Sequence, residues 1–186
     1  MMKSQDIVIL LKLVSLEHEE RQGLLYPKTD HDGPFSVRGL ESSLGISKTE
    51  VNASIKRSIS SGLATKVHDG RAKPNRRNLC NFIVHGLKFV FPAIPGAMTR
   101  GVPTAFAAPP LKNLLISAGE YIYVWPFAKG SNMGQSVEPL FKSVPEAAVK
   151  DACLYEYLAL VDAIRLGNQR ETGLAVERIS ERLLKK

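Results

Sequence analysis

The stretch from Phe35 to Leu63, FSVRGLESSLGISKTEVNASIKRSISSGL, contains two helix starts and one tight turn. Ser36 can accept a hydrogen bond from a free N–H of a short first helix. Ser47 can do the same for a second helix, where Glu50 is expected to reach back and complete a capping box. Between them Gly45 supplies the left-handed backbone that a sharp turn needs. Leu40, Leu44, Ile46, Val51 and Ile55 fall where two crossing helices meet, so each polar face stays outside. The second helix is expected to end near Ser61-Gly62. These are the features of a helix-turn-helix.

The flanks extend the pattern. Downstream, Leu63 to Val67 alternates and His68-Asp69-Gly70 turns the chain, while Leu79 to Val84 is expected to return as a strand. Between those strands, Arg71-Ala72-Lys73-Pro74-Asn75-Arg76-Arg77-Asn78 would form a basic, proline-broken tip. Upstream, a helix is expected from Gln5 to Glu19 behind a Ser4 cap, with Ile7, Leu10, Leu11, Val14 and Leu16 along one buried face. Gly23, Pro27 and the cluster from Asp30 to Pro34 suggest a loop. The order is helix, loop, helix, turn, helix, strand, wing, strand. That is the order of a winged helix.

Charge points to the same region. Ser36 to Cys80 holds nine Lys and Arg against three Asp and Glu, which accounts for nearly all of the net +7 of the 186-residue chain. An isolated basic run is usually just a solvated face. Next to a capped helix pair, it suits phosphates, whose counterions a cationic surface releases. The expected recognition helix, 47–60, offers Lys48, Thr49, Asn52, Lys56 and Arg57 to a major groove. Asn52 is best suited to adenine, and Arg57 to guanine or phosphate. Arg71, Lys73, Arg76 and Arg77 of a wing over 68–78 would hold phosphates or enter the minor groove.

Beyond Val84 the composition changes. Phe89 to Leu111 carries five prolines, is strongly apolar, and has a single charge at Arg100. Prolines prevent a long helix there, so an extended arm on a hydrophobic surface is expected, that surface belonging to this chain or to a partner. Ile116 to Phe127, with Tyr121-Ile122-Tyr123-Val124-Trp125, suggests a short strand. Lys129 to Gly134 suggests a loop without the spacing of a phosphate-binding motif. Helices are expected around Glu146, from Asp151 to Leu166 and from Gln169 to Leu184. Their apolar stripes serve either an internal core or a homodimer, the form in which such proteins commonly read paired half-sites. The chain is thus expected to be α+β and mainly α: a winged helix-turn-helix over 1–86, an arm and short strand over 87–128, and a helical region over 129–186.

Several function classes find no support in the residues. The four histidines are scattered, and Cys80 with His85 lacks the second ligand pair of a zinc site. Ser, Asp and His are never brought together by a nucleophile-elbow pattern, and acidic pairs such as Glu19-Glu20 and Asp30/Asp32 are expected to be solvated. No enzyme, cofactor or metal is therefore expected. No stretch has the roughly 20 apolar residues of a membrane span, and the start lacks a signal-peptide pattern. Two distant cysteines fit a reducing cytoplasm.

Residues Gln5 to Gly86 resemble the winged helix-turn-helix transcriptional regulators of the MarR-like kind. The later strings VHGLKFVFPA, TRGVPTAFAAPPL, VWP, PLFKSVPEAA and LVDAIRLGNQRE are similar to a family of prokaryotic winged-helix proteins. Some members of such families are the antitoxin or regulatory partner of a nucleotidyltransferase-type toxin. The first resemblance implies sequence-specific binding of double-stranded DNA. The second implies neutralisation of a partner protein together with autoregulation of an operon.

Overall fold

The computed structural model describes residues 1–25, 33–112 and 121–185. The loop expected around Pro27 and Asp30 and the first part of the strand expected from Ile116 lie largely outside them. The protein is α+β and mainly helical, and it divides into two compact units, Met1–Leu79 and Cys80–Lys186.

In the first unit, α1 (Ser4–Arg21) packs against α2 (Val37–Leu44), α3 (Lys48–Ser60) and the hairpin β1 (Ala64–Lys66) and β2 (Ala72–Pro74). Ser4 lies inside α1. The capping position is Lys3, whose backbone N–H donates to Asp6 at 2.9 Å. Burial in α1 runs unbroken from Asp6 to Leu16 rather than along one stripe. Ser36 accepts from the Gly39 N–H at 3.0 Å, and Ser47 accepts from the Glu50 N–H at 3.4 Å. Gly45 takes φ +65° and closes α2 in the left-handed conformation expected of it. Leu40, Leu44, Ile46 and Val51 are fully buried, as their spacing requires, whereas Ile55, expected with them, is only half-buried. The capping box at Ser47 is not reciprocal in the way the sequence suggests, because the Glu50 carboxylate is taken by Lys3, Gln5 and Arg57.

The return strand lies earlier than expected. β1 pairs antiparallel with β2 through Ala64↔Pro74, Thr65↔Lys73 and Lys66↔Ala72, so the turn is Val67 to Arg71. Residues 79–84, expected as a strand, belong to α4 (Arg76–His85). Two local signals explain this. The Asn75 side chain caps the helix by accepting from the Asn78 N–H at 3.1 Å. Leu79, Cys80 and Ile83 are then buried at helical spacing. Arg76 and Arg77 therefore start a helix instead of occupying a loop tip.

In the second unit, β3 (Met98–Thr104), β4 (Tyr123–Pro126) and β5 (Asn132–Ser136) close into a three-stranded barrel. The start of β3 pairs with β5 and its end with β4, both antiparallel. Gly101 is the residue shared by the two ladders. The expected arm is thus extended over β3, but within its own unit, and α5 (Leu87–Val90) precedes it. The loop expected over Lys129 to Gly134 gives way to β5 from Asn132. Of the helices that follow, α7 (Ala152–Leu166) packs against β3, and α6 (Val144–Lys150) and α8 (Gln169–Leu184) pack on α7. Asp151 caps α7, and a capping box of Asn168 and Glu171 starts α8. The stripe Leu154, Tyr157, Leu158, Val161 and Ile164 is buried within the single chain, as are Ala175, Ile179 and Leu183 of α8. No helix among the described residues is long and apolar enough to cross a membrane.

Candidate nucleic-acid interface

α3 presents two different sides. Val51, Ser54 and Ser58 form the buried one, while Lys48, Thr49, Asn52 and Lys56 are exposed. Positions 48, 52, 55 and 59 recur every three to four residues and so share one ridge. That ridge forms a wall of an open trough of about 1170 Å³, lined also by Phe35, Arg38, Lys66 and Arg71. Lys66 is there because strand alternation turns it toward α3, on the same face as Ala64 and Ala72. Sequence reasoning omitted Lys66 and Arg38. The β1 register would have found the first, and the position of Arg38 in the first turn of α2 the second.

Arg57 does not join the others. It lies about half a turn from Lys48 on the helix wheel and is held inward by two carboxylates. Its Nε and Nη2 donate to Asp6 at 2.9 and 2.6 Å, and Nη2 also donates to Glu50. Asp6 is fully buried, whereas the Arg57 side chain is 20 % exposed. The Asp6 hydrogen bond raises the already high guanidinium pKa, and the Arg57 hydrogen bond holds the Glu50 carboxyl below its usual value. Arg57 therefore acts as a brace between α3 and α1 and not as a groove contact.

The basic residues beyond α3 are dispersed. Arg71 borders the trough but is bound to Glu20 at 3.0 Å and to Asp69 at 2.6 Å, with its guanidinium 4.5 Å over the Phe35 ring. The Glu20 hydrogen bond raises its pKa. Lys73 faces the opposite side of the hairpin, in a smaller hollow with Glu17, Glu20 and Arg21. Arg76 forms a hydrogen-bonded ion pair with Glu17 at 2.6 Å, and Arg77 is exposed on α4. Of the nine residues expected at the interface, Lys48, Asn52, Lys56 and Arg71 share the trough and Thr49 flanks it. Arg57, Lys73, Arg76 and Arg77 lie elsewhere.

The trough wall can do two things chemically. Its five cations outnumber its two carboxylates, both of which are on Arg71, so it favours a polyanion. The Asn52 amide carries the donor and acceptor needed to pair with a base edge. Among the described residues no group of three or more His, Cys, Asp or Glu is close enough to hold a metal ion. Neither Cys80 nor Cys153 is in a disulfide, and the Cys80 thiol lies 3.6 Å from the Ser180 hydroxyl. Comparison with family models, curated proteins and solved structures gave no match.

Proposed function

We propose that the protein is a sequence-specific double-stranded DNA-binding transcriptional regulator, and that its first unit works as a winged helix-turn-helix. In this reading α3 enters the major groove with Lys48, Thr49, Asn52 and Lys56 toward the bases and phosphates. The β1–β2 hairpin is the wing, and Lys66 meets the backbone beside the groove. The observation that carries the reading is the exposed ridge of α3: a capped helix, braced from behind by Arg57, whose outer side is cationic and amide-bearing. A helix intended only for packing would not hold Lys48, Asn52 and Lys56 on one open trough wall.

Fluorescence anisotropy on random-sequence duplex across a range of salt concentrations tests this. Expected are binding that weakens linearly on a log–log salt plot, and a slope that falls by about one for each of Lys48→Gln and Lys56→Gln that loses a phosphate contact. Unchanged affinity and slope in both variants would remove α3 from the interface.

A further inference from the structure

The hydrophobic pattern of α3 is inverted along part of its length. Its buried side holds Ser54 and Ser58, whose hydroxyls have no hydrogen-bond partner among the described residues. Its open side holds Ile55 and Ile59, both on the trough wall, with Ile59 38 % exposed. Burying serines instead of isoleucines forgoes apolar burial, and leaves two branched apolar side chains among cations and an amide. Core packing does not explain that placement.

We propose that Ile55 and Ile59 read thymine, each seating a 5-methyl group in the stretch of major groove where Asn52 recognises an adenine. This rests on the reading of α3 as the groove-binding helix. The chemistry is complementary in each part. The cationic rim of Arg38, Lys48, Lys56 and Lys66 matches a polyanion. Thymine alone among the bases offers a methyl group in the major groove, and the amide of Asn52 matches the N6 and N7 of adenine. Ile55 lies one turn from Asn52 and Ile59 two turns. At 1.5 Å per residue, Asn52 and Ile59 are about 10 Å apart, on the order of three base-pair steps. The preferred site is therefore rich in A·T pairs under α3.

The test begins with selection of the preferred site from a random duplex pool by the intact protein. Each thymine of that site is then replaced singly by deoxyuridine, which lacks only the methyl group. At one or two positions affinity should fall about fourfold, the factor that one buried methyl group supplies. Ile55→Ser or Ile59→Ser should abolish that loss, whereas Lys48→Gln should retain it. Circular dichroism melting checks that the variants fold, and Ile59→Val, with a partial loss of discrimination, serves if a serine variant does not. Failure to enrich any duplex overturns the DNA-binding reading and this inference with it. An enriched site indifferent to every thymine methyl overturns this inference alone, as does a methyl dependence that survives both serine variants.

Discussion

Arg57 and Asp6 lie 51 residues apart in sequence, yet two N–H groups of the first meet the two carboxylate oxygens of the second at 2.9 and 2.6 Å. The pair is asymmetric, because Asp6 is fully buried while Arg57 retains 20 % exposure and a second acceptor in Glu50. Removing the guanidinium therefore leaves a buried carboxylate with, among the described residues, only the Lys3 backbone N–H as donor. Removing the carboxylate leaves a cation that still has Glu50 and water. Arg57→Met should cost about 3–5 kcal/mol of stability, and Asp6→Asn about half that or less. Urea unfolding monitored by circular dichroism separates the two, and equal losses would contradict the asymmetry.

Glu50 extends the same network toward solvent and gives it a pH dependence. The Arg57 hydrogen bond depresses the folded-state pKa of this carboxyl below its ordinary 4.5. A depressed carboxyl contributes stability above its unfolded pKa and loses it as pH falls through the folded value. The stability difference between the native protein and Glu50→Gln should be present at pH 7 and disappear below about pH 4. Exposure of the side chain limits its size to under ~1 kcal/mol, and high salt should reduce it further. A difference that grew on acidification would reverse the assignment.

In the proposed DNA-binding reading, the distribution of basic residues predicts which of them contribute to the salt dependence. Lys66 borders the trough, whereas Arg76 is occupied by Glu17. Lys66→Gln should reduce the salt slope of duplex binding by about one, as loss of one phosphate contact does. Arg76→Gln should leave the slope unchanged and lower the melting temperature by a few degrees through loss of the half-buried pair. The reverse outcome would move the interface onto α4.

The helix pair was legible because its signals are local: Ser36, Gly45 and Ser47 act on backbone within four residues. Gln169–Leu184 was read at its observed bounds for the same reason. The errors come from interactions that sequence spacing does not carry. Leu79 to Val84 is as apolar as a strand, and the Asn75 cap together with burial of Leu79, Cys80 and Ile83 makes it a helix. β3 and β5 are short, each is interrupted by a glycine, and they are stabilised by partners more than 30 residues away. Arg57 resembles Lys56 in composition, and only the packing of α1 across α3 brings Asp6 within reach. The candidate site was thus readable where helix periodicity set it and not where a distant carboxylate redirected a cation.

The second unit is fastened by one buried carboxylate. Asp162 accepts from the indole N–H of Trp125 at 2.6 Å and from the Thr104 hydroxyl at 2.8 Å, and pairs with Arg165 at 2.7 Å. It joins two barrel strands to α7. Burial pushes its pKa up, against the pull of these partners. Asp162→Ala would leave the Trp125 and Thr104 donors unmatched and deprive Arg165 of its carboxylate, though not of the Phe91 and Pro92 carbonyls, and should cost about 3–5 kcal/mol. Trp125 is the only tryptophan, so its emission reports the change directly. A red shift with early melting is expected, and an unaltered spectrum would mean the indole does not depend on this partner.

Gly101 is under a constraint of a different kind, since it pairs with Pro126 and with Asn132 where β3 passes from one ladder to the other. A Cβ at this position would sit 2.0 Å from the Trp125 carbonyl oxygen. The obstacle is backbone, which cannot rotate away as a side chain would, so the two strands would have to separate. Gly101→Ala should therefore destabilise the second unit by more than the roughly 1–3 kcal/mol typical of overpacking. Gly173→Ala, where the added carbon meets nothing within 4 Å on a helix, should instead stabilise α8 by about 0.5–1 kcal/mol. Thermal melts of the two variants should move in opposite directions from the parent. A melt unchanged by Gly101→Ala would show that the strands can part at no cost, which the close backbone approach does not allow.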